Sequence, residues 1–509
     1  MRQTRRDFLR HATLAACAAA IPQSAFAATP FEDLIAKVAR RQLLPDTYPE
    51  TEIWGYDGLV PAPEIRVTQG DRVRRRFRNE VPDPSSVHWH GIRIDNAMDG
   101  VSGLTQEAVA PGGTFDYDFV VPDAGTYWYH AHNRSYEQVA RGLRGALIVE
   151  EVDGPDIDRE EVIVLEDWLL DPESGQLFDN FEQPMMMSHG GRTGNFITTN
   201  GRYDLTLPAQ RNERIRLRII NAASARIFPL RLSGFSGWTV AVDGMPTGQP
   251  QSVDGELILG PAQRVDLIVD VTEDEGGTAQ LLRIGDDDQL TPLVSFLVNG
   301  TASSVPRGKP LPLPPNPAAH APDLADARDL RLVMSGGAMG RMQSALLGGE
   351  RLGFRQLAQA GKFWALNDVA EMTYTPLADL SLNEPVRLKI ENQTVFPHAM
   401  HLHGMHFREL RPDGAFVDAL AGRQPAFDDH VTQPLQHLLM ESAACDARIE
   451  VLRLARHAGL VRHRGSPLSS VRHGAFALST RAAQLGRRPS NRRQPRLWTG
   501  EAAAGFAVE

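Results

Sequence analysis

The amino-acid sequence predicts an all-β protein built from three β-sandwich domains with Greek-key connections. Short strand-like runs rich in Val, Ile and Thr are separated by Gly and Pro, and helical stretches are few. Three segments also align without gaps: GDRVRRRFRN (70–79), NERIRLRIIN (212–221) and NEPVRLKIEN (383–392). Each alternates apolar and basic residues after a turn, which predicts a strand with one buried face. Their wide spacing indicates copies of a whole domain rather than of a solenoid unit.

Length and composition narrow the class of protein. At 509 residues the chain is too long for one core and suggests roughly three domains. The formal net charge of -10 argues against a nucleic-acid partner, and no apolar run is long enough to form a transmembrane segment. The chain has two cysteines, Cys17 and Cys445, which cannot build a disulfide framework.

The first residues are typical of a bacterial export signal. Arg5 and Arg6 precede a short apolar run, and A-F-A at 25–27 is typical of a cleavage site. We therefore expect recognition by the twin-arginine export machinery and a mature protein that begins near Ala28, in the periplasm or secreted. Cys17 is then removed with the signal; lipid attachment at Cys17 is the alternative.

The repeat and the composition also predict the domain boundaries. The stretch that follows the second domain is rich in proline and reads as a stiff, extended linker. The predicted divisions are the signal 1–27, domain one 28–152, domain two 153–300, the linker 301–326, domain three 327–428 and an Arg-rich tail 429–509.

Histidine pairs follow two of the three repeat segments. H-W-H (88–90) and H-L-H (401–403) each begin nine residues after the last Asn of their repeat, where domain two has L-R-L (230–232). In a strand, residues i and i+2 point to the same face, so each pair directs two imidazoles one way. A further pair, H-A-H, lies at 130–132. This many imidazoles predicts a metal site, with copper fitting best and zinc second.

These motifs resemble the multicopper oxidases, which include laccases, ascorbate and bilirubin oxidases and bacterial cuprous oxidases. HWHG, DGVSGLTQ, WYHAH, LEDW and HAMHLHG occur in order between about Phe31 and about Phe427. The resemblance implies three cupredoxin domains, the middle one without copper. It also implies a three-copper cluster between domains one and three that reduces dioxygen to water. A separate blue (type 1) copper in domain three would take electrons from a phenolic or metal-ion reductant.

The resemblance also assigns roles to individual residues. His88 and His401 match the ligands of the type 2 copper, and His398 matches one blue-copper histidine. Asp99 matches a carboxylate that helps deliver protons to oxygen; a turn-forming role before Gly100 is the alternative. The residues that match ligands of the type 3 pair are His90, His130, His132 and His403. Two groups of methionines are typical of copper-handling loops, but we expect them to fill gaps in the core: Met334, Met339 and Met342, and Met185–Met187.

One expected motif is missing from the C-terminal region. The resemblance implies H-C-H followed by a further His and an axial Met. The cysteine would ligate the blue copper together with two other histidines, and the two histidines beside the cysteine would bind the type 3 pair. Cys445 has no adjacent histidine, and no methionine follows Met440. From Val451 the sequence is rich in Arg, Ser, Pro and His and lacks the alternation of apolar and polar residues that is typical of strands. A frameshift within domain three explains this change; a basic, solvated tail is the alternative.

The functional hypothesis is therefore a laccase-like multicopper oxidase with an incomplete third sandwich and an incomplete type 1 site, so that activity is impaired. A copper-free or copper-poor periplasmic cupredoxin that acts as a scaffold or binding protein is the alternative. Retention of three complete H-x-H pairs favours the oxidase. A two-domain nitrite reductase fits poorly, since the repeat has three copies.

We predict that a one-base correction between the codons for Phe427 and Cys445 restores H-C-H followed by His and Met. Resequencing the gene across these codons tests this. If no reading frame there encodes such a motif, the tail is genuine and the frameshift hypothesis is wrong.

Overall fold

The computed structural model describes residues 30–317, 323–372, 375–381, 384–410 and 438–442. Strands dominate these residues, and the helices among them are short: a 3₁₀ helix Asn96–Met98, α1 (Ser135–Gln138), α2 (Pro184–Ser188) and α3 (Phe354–Gln359). The predicted all-β class is confirmed. Within the described ranges no helix has the length and apolar character needed to cross a bilayer. The predicted signal 1–27, Cys17, Cys445 and most of the predicted tail lie outside these ranges.

Domain one is a sandwich of two four-stranded sheets, ordered β2-β1-β4-β6 and β3-β8-β7-β5. Buried aromatic side chains, including Phe77, Trp89 and Tyr129, pack in the core between the sheets. Its strands are β1 (Glu32–Arg41), β2 (Thr51–Tyr56), β3 (Ala62–Thr68), β4 (Arg72–Glu80), β5 (Val87–His90), β6 (Thr114–Val120), β7 (Gly125–Ala131) and β8 (Arg144–Glu150).

Domain two is a larger sandwich with sheets ordered β10-β9-β12-β17-β14-β15 and β11-β19-β18-β13-β16. Its core contains Leu230, and Leu232 packs against that core, as the L-x-L pattern predicts. The strands are β9 (Arg159–Trp168), β10 (Phe196–Thr199), β11 (Thr206–Arg211), β12 (Arg214–Asn221), β13 (Phe228–Ser233), β14 (Phe235–Val242), β15 (Met245–Ser252), β16 (Leu257–Leu259), β17 (Arg264–Val271), β18 (Thr278–Ile284) and β19 (Leu290–Thr301).

Domain three, over the residues described, contains one five-stranded sheet, β23-β20-β24-β26-β25, and the hairpin β21-β22. The strand β26 falls inside the range predicted as tail, and its backbone pairs with β24 and β25. The strands are β20 (Arg328–Gly336), β21 (Ser344–Leu347), β22 (Glu350–Gly353), β23 (Trp364–Leu366), β24 (Val386–Asn392), β25 (Phe407–Leu410) and β26 (Leu438–Ser442).

Each repeat segment forms a strand in the same place in its domain. β4, β12 and β24 run parallel to the first strand of their domains, β1, β9 and β20, so the strand predictions are confirmed. The expectation of one buried face is wrong for β12, which is buried along its whole length. Its arginines are tolerated there because acidic groups pair with them; Arg214, for example, donates two hydrogen bonds to Asp270, 2.7 and 2.8 Å long.

A buried asparagine ends each of these strands and closes the turn that follows. The Asn221 side chain donates to the carbonyls of Arg226 and Leu259 and accepts from the Ala223 amide. Asn79 and Asn392 make a similar local pair of bonds: each accepts from the amide two residues on and donates to the carbonyl four residues on, where Asn221 donates to the carbonyl five residues on. The repeat therefore encodes a strand and its turn, and the turn sets the start of the next segment.

The proline-rich linker contains no strand or helix between 302 and 317, and it packs against both preceding domains. The Asn316 side chain accepts from the backbone amide of Ala124 (2.9 Å) and donates to the carbonyl of the same residue (2.7 Å). Leu313 is buried beside Val240 and Ile268 of domain two. The linker thus fixes domain two to domain one before domain three begins.

We predict that Asn221→Ala lowers the free energy of unfolding of domain two by about 2–4 kcal/mol, because it leaves one amide and two carbonyls without their partner. Hydrogen exchange of β12 and β17 under native conditions measures this loss. Asn299→Ala, on an exposed position of β19, is the matched control. Equal protection in the two variants would contradict the role assigned to the asparagine turn.

Candidate metal centre

The domain-one histidines lie on two paired strands. β5 and β7 are antiparallel, with His88 directly opposite His130, so their side chains share one face of the sheet. His90 lies on that face too, whereas Trp89 points into the core of domain one. His132 follows the end of β7. The prediction that an H-x-H pair on a strand directs both rings one way is confirmed for β5.

The domain-three pair is held differently. His401 and His403 lie between β24 and β25 in a segment without strand or helix, so the prediction of a strand is wrong here. In domain one the pair gains its strand pairing from β7. Among the described residues of domain three no strand pairs with residues 401–403, so their backbone lacks a ladder. His403 is nevertheless buried, at 3% exposed.

The two domains bring six imidazoles together. The rings of His90 and His401 stack with centroids 3.7 Å apart, and those of His88 and His403 lie 4.1 Å apart. The Nε2 atoms of His88 and His401 are separated by 3.3 Å. His130 and His132 complete the group, with His132 5.1 Å from His403 between ring centroids. The two groups of nitrogen atoms that could each hold one metal ion are His88/His90/His130 and His88/His401/His403.

Several rings are anchored through one nitrogen and present the other. His88 donates from Nδ1 to the Asp99 carbonyl (2.7 Å), and His130 donates from Nδ1 to the Ala131 carbonyl (3.0 Å). This leaves the Nε2 lone pair available, which is the usual arrangement of metal-binding histidines. The Nε2 atom of His132 is buried without a hydrogen-bond partner among the described residues.

The protonation state also suits a metal. Burial, and secondly repulsion between neighbouring rings, lowers the pKa of His130, His132 and His401 well below the usual value. The pKa of His90 falls for the same reasons, so these four rings are neutral donors at neutral pH. Imidazole–metal bonds are about 2.0–2.1 Å long in zinc sites, so one ion can contact both Nε2 atoms of the His88/His401 pair. The donor set fits copper.

Asp99, in domain one, lies beside the six histidines and contacts one histidine from each domain. Its carboxylate oxygen Oδ2 accepts a hydrogen bond from His403 Nδ1 at 3.2 Å, and Oδ1 lies 3.4 Å from His88 Nδ1. Burial alone would raise the pKa of this carboxyl, but attraction to His403 and His88 holds it well below its ordinary value. Gly100 has φ +83°, and a Cβ there would collide with the Val87 carbonyl. The turn and the carboxylate contact therefore coexist at this position.

His398 belongs to a second group. Its Nε2 lies 2.9 Å from the Thr394 hydroxyl, which donates to Asn392 Oδ1 at 2.7 Å. Since the hydroxyl has one proton, His398 donates from Nε2 in this arrangement and keeps a lone pair on Nδ1. That Nδ1 is buried and lacks a partner among the described residues, and burial lowers the pKa of the ring to about 4. The edge of Trp364 packs against His398 at 5.3 Å.

The methionines divide between core and surface. Met334 is buried in the domain-three core, and Met342 packs against a second cluster there, as predicted. Met185 and Met339 are 68% and 63% exposed, so a gap-filling role is wrong for these two. They lie on α2 and in a surface turn, where there is no core to fill.

Sequence reasoning missed Thr394, His406 and Arg264. Thr394 could have been found from its place two residues after the repeat asparagine, and His406 from the histidine-rich stretch around it. Arg264 gives no such signal, because it lies on a strand of domain two and reaches the site only through interdomain packing.

Comparisons with known proteins identify the relatives of this chain. Three family models described as multicopper oxidase match residues 37–153, 159–278 and 350–432. The multicopper oxidase MmcO of Mycobacterium tuberculosis is 30% identical over 395 residues, which cover 71% of this chain and 73% of that protein. Copper resistance protein A of Pseudomonas syringae pv. tomato is 31% identical over 260 residues, 42% of each chain. This chain thus spans under half the length of that second relative.

Solved structures extend the likeness to the fold. Lac15 from a marine microbial metagenome is 35% identical with a TM-score of 0.63, covering 82% of this chain and 94% of that one. A multi-copper oxidase from Pseudomonas thermotolerans is 30% identical with a TM-score of 0.66, covering 82% and 92%. These neighbours confirm the predicted cupredoxin-like fold class. The chain belongs to the multicopper oxidase family, and copper is the cofactor that this family implies.

Proposed function

We propose that the chain is a laccase-like multicopper oxidase that couples one-electron oxidation of phenols or metal ions to the reduction of dioxygen to water. The observation that carries this proposal is the convergence of six imidazoles from domains one and three around a buried carboxylate. A purely structural interface does not explain the buried Nε2 of His132, which has no hydrogen-bond partner among the described residues and costs free energy unless something binds it.

The ring contacts support a division of the six histidines. His88 and His401, whose Nε2 atoms lie 3.3 Å apart, would hold the type 2 copper. His90 with His130 (Nδ1 to Nε2, 3.4 Å) and His132 with His403 would each hold one copper of the type 3 pair. When bound, such a cluster would pass to dioxygen the four electrons that reduce it to two waters, and those electrons would come from four one-electron oxidations of the reductant.

The protein's own groups would hold the histidine rings in place, exclude water from the site and supply protons. Hydrogen bonds from Nδ1 hold His88 and His130 in fixed orientations. The buried Trp128 stacks on His130 at 4.2 Å and excludes water from that side. Four protons are consumed per dioxygen, and the buried Asp99 carboxylate, which is ionised and accepts from His403, would relay protons toward the cluster rather than store them.

Electron entry is the part that we propose to be impaired. His398 presents a buried Nδ1, as a blue-copper ligand requires, but the sequence lacks the H-C-H motif and the axial methionine beyond Met440. Without the thiolate, the blue copper that would pass electrons from the reductant to the cluster lacks a ligand. We further propose export by the twin-arginine machinery to the periplasm or outside the cell, from Arg5 and Arg6.

A copper-poor scaffold protein is the competing function. It is compatible with the missing thiolate, but such a protein has no need for neutral rings whose nitrogen atoms gather in two groups that could each hold a metal ion. The anchoring of His88 and His403 by Asp99 therefore favours the oxidase.

We predict that mature protein loaded with excess Cu²⁺ and desalted retains fewer than four coppers per chain, bound weakly, and shows little oxygen uptake with a phenol or with cuprous ion. Electron paramagnetic resonance should show one Cu²⁺ signal with imidazole nitrogen coupling. His88→Ala and His401→Ala should each remove that signal, because the two rings come from different domains. His189→Ala, in domain two, is the control.

Four tightly held coppers with steady turnover would overturn the proposed impairment. A signal unchanged in both ligand variants would instead overturn the proposed site.

The Asp99→Asn variant tests the proton-transfer step separately. Copper should stay bound, while reoxidation of chemically reduced protein by dioxygen should slow by roughly a hundredfold, within the range of general acid–base effects. An unchanged rate would remove Asp99 from the mechanism.

We predict that copper-loaded protein lacks the intense blue absorption of a cysteine-ligated copper, because the one mature thiol, Cys445, has no neighbouring ligand in sequence. Visible absorption spectroscopy of the loaded protein measures this. A strong blue band that disappears in Cys445→Ala would contradict the prediction.

A further inference from the structure

We infer that His406 is a positioning residue that fixes domain three against domain one directly behind the cluster, at a point where domain two also contributes a buried cation. Its consequence for copper rests on the proposed function, whereas the contact itself can be tested without metal.

The first step is a single hydrogen bond between the two histidine-bearing segments. His406 Nε2 donates to the carbonyl of Gly91 at 2.9 Å. Gly91 follows His90 directly, and His406 lies three residues after His403. The bond therefore joins the end of β5 to the segment that carries the domain-three pair. Because a carbonyl can only accept, the proton of this bond is on Nε2.

The second step is the support of the His406 ring from its other side. Its Nδ1 lies 3.8 Å from Asp123 Oδ2, which is a packing contact and too far for a hydrogen bond. Asp123 is 2% exposed and is held by two hydrogen bonds from Arg93, 2.5 and 3.1 Å long. The His406 side chain itself is 15% exposed. The ring thus lies in a pocket that domain one has already ordered.

The third step is the immobility of Gly91. Its φ is +86°, and a Cβ there would collide with the guanidinium of Arg264 and crowd Tyr127. Arg264, from β17 of domain two, donates to the Thr126 carbonyl at 3.2 Å and to the Ala262 carbonyl at 2.9 Å. Domain two therefore packs against one side of Gly91 while domain three bonds to its carbonyl. All three domains meet one residue beyond His90.

These contacts fix the spacing between the two histidine pairs. His401 and His403 have no ladder of their own in the described part of domain three, so their distance from β5 depends on side-chain contacts. The His406 bond lies three residues from His403 and one from His90, and loss of it would let the domain-three segment move away from β5.

The test compares His406→Leu with His406→Gln in the mature protein. Gln keeps an N–H donor near the position of Nε2, whereas Leu removes it. Without copper, hydrogen exchange of the amides at 88–92 and 400–407 should accelerate at least tenfold in the Leu variant and less than twofold in the Gln variant. His189→Leu should change neither. Unchanged exchange in domain-two strands shows that each variant is folded.

With copper, the Leu variant should bind Cu²⁺ at least tenfold more weakly, and the Gln variant should restore the affinity. Slow exchange in the Leu variant, or fast exchange in the Gln variant, overturns the positioning role whether or not copper binds. If the Leu variant exchanges fast but binds copper as tightly as the unmodified protein, the His406 contact stabilises the interface only, and its proposed role at the cluster is wrong. If unmodified protein binds no copper, the proposed function fails, and the exchange comparison still decides the contact.

Discussion

The docking of domain three on domain one is the constraint on which the metal centre depends. Neither domain has enough imidazoles by itself: four come from the β5/β7 pair and two from the segment before β25. The closest ring contacts, His90 with His401 and His88 with His403, all cross the interface. A shift of one domain by an ångström or two would separate the nitrogens that could share an ion, since metal coordination tolerates little error in distance.

Domain two stabilises this docking without contributing a ligand. Its strand β12 presents Arg216 and Arg218 to acidic groups at the boundary with domain one, including Glu151. Buried ion pairs of this kind add little net stability but penalise any arrangement that leaves one partner alone. Together with Arg264 and the Asn316 contact of the linker, they define one relative placement of the first two domains. Domain two thus acts as the reference against which domain one is oriented.

Local patterns in the sequence predicted what depends on short stretches of chain. The repeat strands, the shared face of His88 and His90, and the core position of Leu230 follow from alternation and spacing alone, and all are found. The burial of β12 could not be predicted, because arginine normally indicates a solvent-facing side and its acidic partners come from distant segments. The contacts of His406 and Arg264 were missed for a similar reason, since they form only where separate domains meet. The absence of a strand at His401 depends on a pairing partner that local periodicity does not report.

The asparagine turn has a consequence for how such a protein can change over time. A buried asparagine closes the turn in all three domains, although the histidines that follow it occur in two of them. The residue that closes the turn and the residues that could bind a metal are therefore different positions of the same segment. Imidazoles can be gained or lost nine residues downstream while the architecture stays intact, as Leu230 in the middle copy illustrates. A family of such proteins can in this way lose metal-binding histidines and still keep the β-sandwich fold.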